Sequence, residues 1–197
     1  MRSRLGRALI VAGAALLVGA LSLFAWGLWD NARAGDAAAR TMGELRAEVG
    51  ADAGTGAPSL SAATTGGMAT VSVDGTDYIG YLTVPSLGLE LPVASTWSYE
   101  QLADGPCRYY GSVAGGSLVV AGRSYAAHFG RLAELGVGDE VALTCADGTV
   151  YVYEVAEVDS VAAADVDAMT SGEFALTLFT DTGAGQSRVA VRCDRVA

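Results

Sequence analysis

Residues 8–29 carry no charged side chain, and no other feature narrows so far what the chain can become. The run matches the ~20 apolar residues that cross a bilayer as a helix. In hydrocarbon every backbone N–H and C=O must be bonded inside the segment, so one isolated run can only be helical there. Arg2, Arg4 and Arg7 precede it, and Trp26 and Trp29 close it. Basic residues before the run and tryptophans at its far end predict residues 1–7 in the cytoplasm, a single span over 8–29, and the remainder outside the cell. A cleaved signal peptide is the rival reading, with Ala32-Arg33-Ala34 as the cleavage site. The run exceeds the ~7–15 residues of a signal h-region, which favours an uncleaved anchor.

Past the span the composition changes twice. Residues 30–50 are polar with alanines and repeat apolar side chains at Ala34, Ala38, Met42, Leu45 and Val49. That period predicts a juxtamembrane helical stalk. Residues 51–77 are rich in Gly, Ala, Ser and Thr with few large apolar side chains, and read as a flexible linker. Both are spacers on this reading. The folded domain is expected over 78–197.

Within it the sequence is punctuated like a β protein. Residues 79–84 form an expected strand that Pro85 ends, and 89–93 a second. Ser98 and Gln101 stand at the spacing of a helix cap. Residues 118–121 form a short apolar strand. Residues 126–135 read as a short helix with Phe129 and Leu132 inward, stopped by Gly136. Two strands, 139–144 and 149–161, flank an Asp147-Gly148 turn, and 165–170 is a short helix. Strands over 174–181 and 188–193 follow, with Asp181 and Arg188 as polar residues at the lip. Many short strands and few helices predict a mostly β, closed barrel with a few short helices, preceded by the transmembrane helix.

A net charge of −10 argues against nucleic acid as a partner, because phosphate contacts need clustered cations. All twelve basic residues are Arg. With no lysine, the chain offers no Schiff base and no lysine nucleophile. Cys107, Cys145 and Cys193 read as small buried hydrophobes; a Cys107–Cys193 bridge stays open at this point. No metal or cofactor is expected, since the cysteines lack close ligand spacing and His128 is the single histidine.

Several stretches then line up with one family. Ile79-Gly-Tyr-Leu-Thr-Val-Pro-Ser-Leu-Gly-Leu-Glu-Leu-Pro-Val93 resembles the opening hairpin of the sortases, cysteine transpeptidases of Gram-positive cell surfaces. Gly105-Pro-Cys-Arg-Tyr-Tyr-Gly111 is similar to a segment that precedes the catalytic histidine in some members, and Leu118-Val-Val-Ala-Gly-Arg-Ser-Tyr-Ala-Ala-His-Phe-Gly-Arg-Leu132 to the segment that carries the family's histidines. Gly138-Asp139 matches the pair that opens its next strand, and Phe174-Ala-Leu-Thr-Leu-Phe-Thr-Asp181 its cysteine-bearing strand. The likeness runs over nearly all of the domain, is of the class B or D kind, and implies a sortase-like barrel.

Carried over residue by residue, the resemblance places the catalytic histidine at Arg123, the nucleophilic cysteine at Asp181 and the arginine at Arg188. His128 matches the family's second, non-catalytic histidine, which implies packing or helix capping. Sortase chemistry needs a thiolate to attack the amide and an imidazolium to protonate the leaving amine. A carboxylate attacking an amide would give a mixed anhydride at an unfavourable equilibrium. A guanidinium cannot shuttle protons near neutral pH. Arg188 alone keeps its role as a donor to a carbonyl or oxyanion. The three positions are expected to converge, with Asp181 ion-paired to Arg123, Arg188 or both. The resemblance thus implies a pseudo-sortase at the cell membrane that binds a sorting-signal peptide or assists an active sortase. The rival readings are an active transpeptidase or hydrolase with an atypical site, and a structural envelope protein with an empty groove.

Overall fold

The computed structural model describes residues 2–55, 63–65, 67–182 and 185–196; the side chains of 2–11, 50–55 and 63–65 stand outside that description. The middle of the expected linker, 56–62, therefore lies outside the described residues. So do two residues of the turn before Arg188, 183 and 184, and the side chains of Arg2, Arg4 and Arg7.

The chain opens with one continuous helix, α1 (Arg2–Thr55). Its residues up to Arg33 form one compact unit, and everything from Ala34 onward forms a second. In the first unit Leu16, Leu17, Leu21, Leu23 and Phe24 are all exposed, as lipid-facing side chains are. The described part of this helix holds a stretch of mean hydropathy 1.7, long and apolar enough to cross a membrane. Trp26 and Trp29 meet edge to face at 6.2 Å, and the Arg33 guanidinium lies 5.7 Å from the Trp29 ring.

In the second unit Ala34, Ala38, Met42, Leu45 and Val49 are each buried, Leu45 completely. Their spacing puts them on one helix face. That face packs on the domain rather than standing clear of it as a spacer would. Arg46 pairs with Glu90 on β4 (Leu89–Ala94) and lies over the Tyr81 ring at 6.0 Å.

The expected linker needs a second correction. It contains β1 (Ala63–Thr65) and β2 (Met68–Val73), and β3 (Thr76–Val84) begins inside it. Met68, Thr70 and Val73 are buried. Asp74 and Gly75, both at positive φ (49° and 80°), form the two-residue turn between β2 and β3. Asp-Gly flanked by β-branched residues is a strong hairpin signal, and it outweighs the small-residue composition around it.

After β4 come a one-turn helix α2 (Gln101–Asp104), β5 (Cys107–Ser112), β6 (Ser117–Ala121), β7 (Glu140–Cys145), β8 (Val150–Ala162), a short α3 (Asp167–Thr170), β9 (Leu176–Asp181) and β10 (Ser187–Arg195). Ser98 Oγ accepts the Gln101 N–H at 3.1 Å, as the cap spacing predicted. Pairing runs β3-β4-β5-β6-β9-β10-β8-β7 and returns to β3, so among the described residues these eight strands close a barrel. Closure needs glycine at position 80. A Cβ there would sit 1.9 Å from the Thr144 carbonyl oxygen on β7, and φ is +138°.

Residues 126–135 do not form the expected helix. They make successive turns and a 3₁₀ helix at Leu132–Glu134. Gly130 donates to the Tyr125 carbonyl at 2.9 Å and packs its Cα against the backbone there, which a regular helix does not allow. The inward side chains are as expected: Phe129 and Leu132 are fully buried.

Two apolar layers result. Leu82, Leu91, Leu118, Leu143, Tyr153, Leu176, Leu178 and Val191 fill the barrel. Alternate residues of the same strands, among them Val119, Ala121, Phe179 and Ala190, belong to a second layer that takes in Leu45 and Val49 of α1 and Met169 of α3. The twofold alternation of strands generates both layers from one sequence pattern.

Candidate functional site

β6 and β9 run parallel, with Ala121 level with Phe179. The ladder continues one step further, where the Gly122 N–H donates to the Phe179 carbonyl at 3.0 Å. Arg123 therefore follows β6 just where Thr180 and Asp181 finish β9. β10 returns antiparallel with Arg188 directly opposite Asp181. Strand register alone thus gathers Arg123, Asp181 and Arg188 at one end of the barrel. Phe179, Asp181 and Arg188 share the outer face of the sheet.

The side chains do not form one mutual cluster. Arg188 Nε donates to Asp181 Oδ1 at 3.0 Å, and its guanidinium lies 5.3 Å from the Phe179 ring. Arg123 turns elsewhere: its Nη2 donates to the Tyr99 carbonyl at 3.0 Å, and it lies 5.9 Å from the Tyr125 ring. Among the described residues, the ion pair of Asp181 is with Arg188 and not with Arg123. The Asp181 side chain is 65 % exposed and that of Arg188 21 %. Among the described residues, Arg123 Nε, Arg188 Nη1 and Thr180 Oγ1 are buried with no hydrogen-bond partner. Two guanidinium groups at this end therefore hold unspent donors.

No thiol is presented beside them. Cys107, Cys145 and Cys193 are all free and buried, so the Cys107–Cys193 bridge is not formed. Burial pushes the Cys107 thiol up to about 11 and the Cys145 and Cys193 thiols up to about 12. Such thiols hold their protons at neutral pH and are poor nucleophiles. Cys193 lies level with Leu176, at the far end of β9 from Asp181.

His128 is completely buried. Its Nε2 donates to the Ala34 carbonyl of α1 at 3.3 Å, and its Nδ1 has no partner among the described residues. Burial pulls its pKa below the ordinary imidazole value, so it stays neutral. It packs between elements as the resemblance implied, and caps no helix. Among the described residues no group of three His, Cys, Asp or Glu side chains is placed to hold a metal ion.

One feature of this end was not anticipated from sequence. Trp97 meets Tyr99 at 4.9 Å and Tyr109 at 6.0 Å, and Tyr109 meets Phe179 at 5.2 Å, all edge to face. An aromatic row thus joins the backbone that Arg123 holds to the ring that Arg188 covers. The available signal was four aromatics, Trp97, Tyr99, Tyr109 and Tyr110, crowded around a loop with Arg108 among them.

The sortase-domain family model matches residues 82–196. No curated protein matches the chain. Among solved structures, sortase C1 from Streptococcus agalactiae superposes with a TM-score of 0.55 at 23% identity, over 64% of this chain and 71% of that one. Clostridium perfringens sortase C, seen with the C-terminal cell wall sorting motif, gives 0.54 at 22%, over 62% and 72%. Sortase A from Corynebacterium diphtheriae gives 0.55 at 23%, over 62% of each chain. At these identities the structures speak for the fold, and the family match speaks for descent. With its eight-stranded barrel and this matched domain, the chain belongs to the sortase family.

Proposed function

We propose that this protein is a pseudo-sortase: a single-pass membrane protein whose outward-facing domain binds a sorting-signal peptide, or assists an active sortase, without cleaving the peptide. One observation carries the reading. Where β6 and β9 finish and β10 begins, the groups present are the Asp181 carboxylate and the guanidinium groups of Arg123 and Arg188, and the three thiols are buried elsewhere. On this reading Arg123, Asp181 and Arg188 stand at the positions of the family's histidine, cysteine and arginine. Asp181⁻ pairs with Arg188⁺ at the family's arginine position, while Arg123⁺ bonds the Tyr99 carbonyl, and neither a carboxylate nor a guanidinium can do the chemistry of a thiolate or an imidazolium. Guanidinium groups suit the carbonyl oxygens of an extended peptide. A sortase C of the same fold is known with a cell wall sorting motif, which supports that choice of ligand.

The test uses the full chain in nanodiscs with a fluorogenic sorting-signal peptide. Binding is expected without turnover above buffer, and Arg188→Gln should weaken it. Turnover that one Cys→Ala change abolishes would overturn the reading in favour of an atypical active site. Absence of both binding and turnover would leave the empty-groove envelope protein as the better account.

A further inference from the structure

β4 and β5 share a single parallel pair, Ala94 with Cys107, so among the described residues the outer edge of β5 has no strand beside it past that point. An open hollow of about 410 Å³ lies at this seam, lined by Ser95, Thr96, Trp97, Arg108, Tyr109 and Tyr110. That volume is in the range of ligand sites. Among the described residues from Ala34 onward, the exposed large aromatics are Trp97, Tyr99 and Tyr110, at 39 %, 75 % and 55 %. All three belong to this one patch. Exposed aromatic surface gathered in one place, beside a hollow, is the mark of a binding face.

We propose that the hollow docks a proline-rich segment of a partner protein in the polyproline II conformation. Three observations select this occupant. First, the open edge of β5 is not free for an added strand. Arg108 Nε donates to the Ser95 carbonyl at 2.8 Å and its Nη1 to the Gly111 carbonyl at 3.2 Å, so the guanidinium bridges the seam. A ligand that needs no ladder of backbone bonds is favoured, and polyproline II has none. Second, the lining is rich in donors. The indole N–H and the hydroxyls of Ser95, Thr96, Tyr109 and Tyr110 can all donate, and no carboxylate lines the hollow. Proline has no backbone N–H, so a proline-rich chain presents acceptors almost alone. Third, in a chain of net charge −10 the charged residue of the lining is an arginine, which suits a neutral or acidic segment. Pyrrolidine rings stack on the aromatic row, whose neighbouring rings stand 4.9 to 6.0 Å apart. The site goes beyond the proposed function because it uses neither Asp181 nor Arg188.

Trp97 supplies the readout. The other tryptophans are Trp26 and Trp29. The full chain in nanodiscs, carrying Trp26→Phe and Trp29→Phe, therefore reports on the hollow alone. It is titrated with blocked octaproline, with a Gly-Ser peptide of equal length, and with chitotetraose. Octaproline should shift Trp97 emission saturably and the other two should not. Tyr99→Ala and Tyr110→Ala should each weaken binding roughly tenfold. Tyr110→Phe, which keeps the ring, should bind within about threefold of the parent, and circular dichroism should be unchanged in all three. Arg188→Gln should leave octaproline binding intact while weakening the sorting-signal peptide. An unchanged emission with octaproline, equal binding in both alanine variants, or a response to chitotetraose instead would overturn the proposal. Loss of octaproline binding in Arg188→Gln would also overturn it, as the hollow would then not be a separate site.

Discussion

Asp181 and Arg188 meet at 3.0 Å, but water reaches most of the carboxylate. An ion pair this exposed contributes ~0–1 kcal/mol, because solvent already stabilises each charge and two side chains lose freedom to pair. Asp181→Ala should therefore cost less than about 1 kcal/mol in urea unfolding. Since Arg123 bonds the Tyr99 carbonyl instead, Arg123→Ala and Asp181→Ala should be additive within about 0.5 kcal/mol in a double-mutant cycle. A coupling above that would mean that the two meet in solution. His128 behaves differently because it is sealed from water. Burial lowers its pKa most strongly; the Ala34 carbonyl and Asp104 oppose that, and Arg123 adds to it. The unfolded chain then takes up a proton near the ordinary value of about 6.5, while the folded chain resists. Stability from this group is complete above that pH and is lost as pH falls toward the lower folded value. Between about pH 7 and 5 the wild type should lose stability more steeply than His128→Asn.

At the scale of elements, two contacts decide how the segments beside the site are held. Gly122 joins β6 to Arg123, and a Cβ there would lie 2.4 Å from the Phe129 ring. Gly122→Ala must push that ring out of the core, at a cost of about 1–3 kcal/mol in thermal or urea unfolding. Leu45 is the centre of the α1 stripe and has no exposed surface. Leu45→Ala should cost ~2–5 kcal/mol, as full burial with incomplete collapse of the cavity requires. A free stalk would lose almost nothing from the same change, so the experiment separates a packed helix from a spacer. The seam between β4 and β5 is the thinnest part of the wall. Its amides around Arg108 should exchange with solvent sooner than those of β9 and β10, which are paired along their whole length.

For the whole molecule, the anchor and the thiols give further tests. Residues after 29 should be removed by protease from intact cells, as a positive-inside anchor requires. Protection of the whole chain would reverse the orientation. In the folded chain all three cysteines are buried with raised pKa values. A thiol reagent near pH 8 should label essentially none until denaturant is added, and then three. One fast-reacting thiol in the native chain would reopen the question of an active nucleophile.

The barrel, the long apolar helix and the meeting of β9 and β10 at Asp181 and Arg188 were legible in the chain itself. Charge-free length, Pro and Gly punctuation and twofold alternation are local signals, and each describes what a few consecutive residues can do alone. The sortase motifs carried the same information for Asp181 and Arg188, which register then placed opposite one another. What local pattern could not decide was partnership. The apolar stripe from Ala34 to Val49 predicted a helix but not the surface that buries it. Asp74-Gly75 was a hairpin signal hidden in a stretch whose average composition is that of a linker. Residues 126–135 had helical spacing, yet Phe129 had to fill the space that Gly122 leaves, and turns replaced the helix. Arg123 could reach either Asp181 or the Tyr99 carbonyl, and only the position of the loop carrying Tyr99 settled which. The physical reason is common to the stripe, to residues 126–135 and to Arg123. Propensity acts between near neighbours in sequence, whereas burial and hydrogen bonding are satisfied by whichever group the folded chain brings within reach.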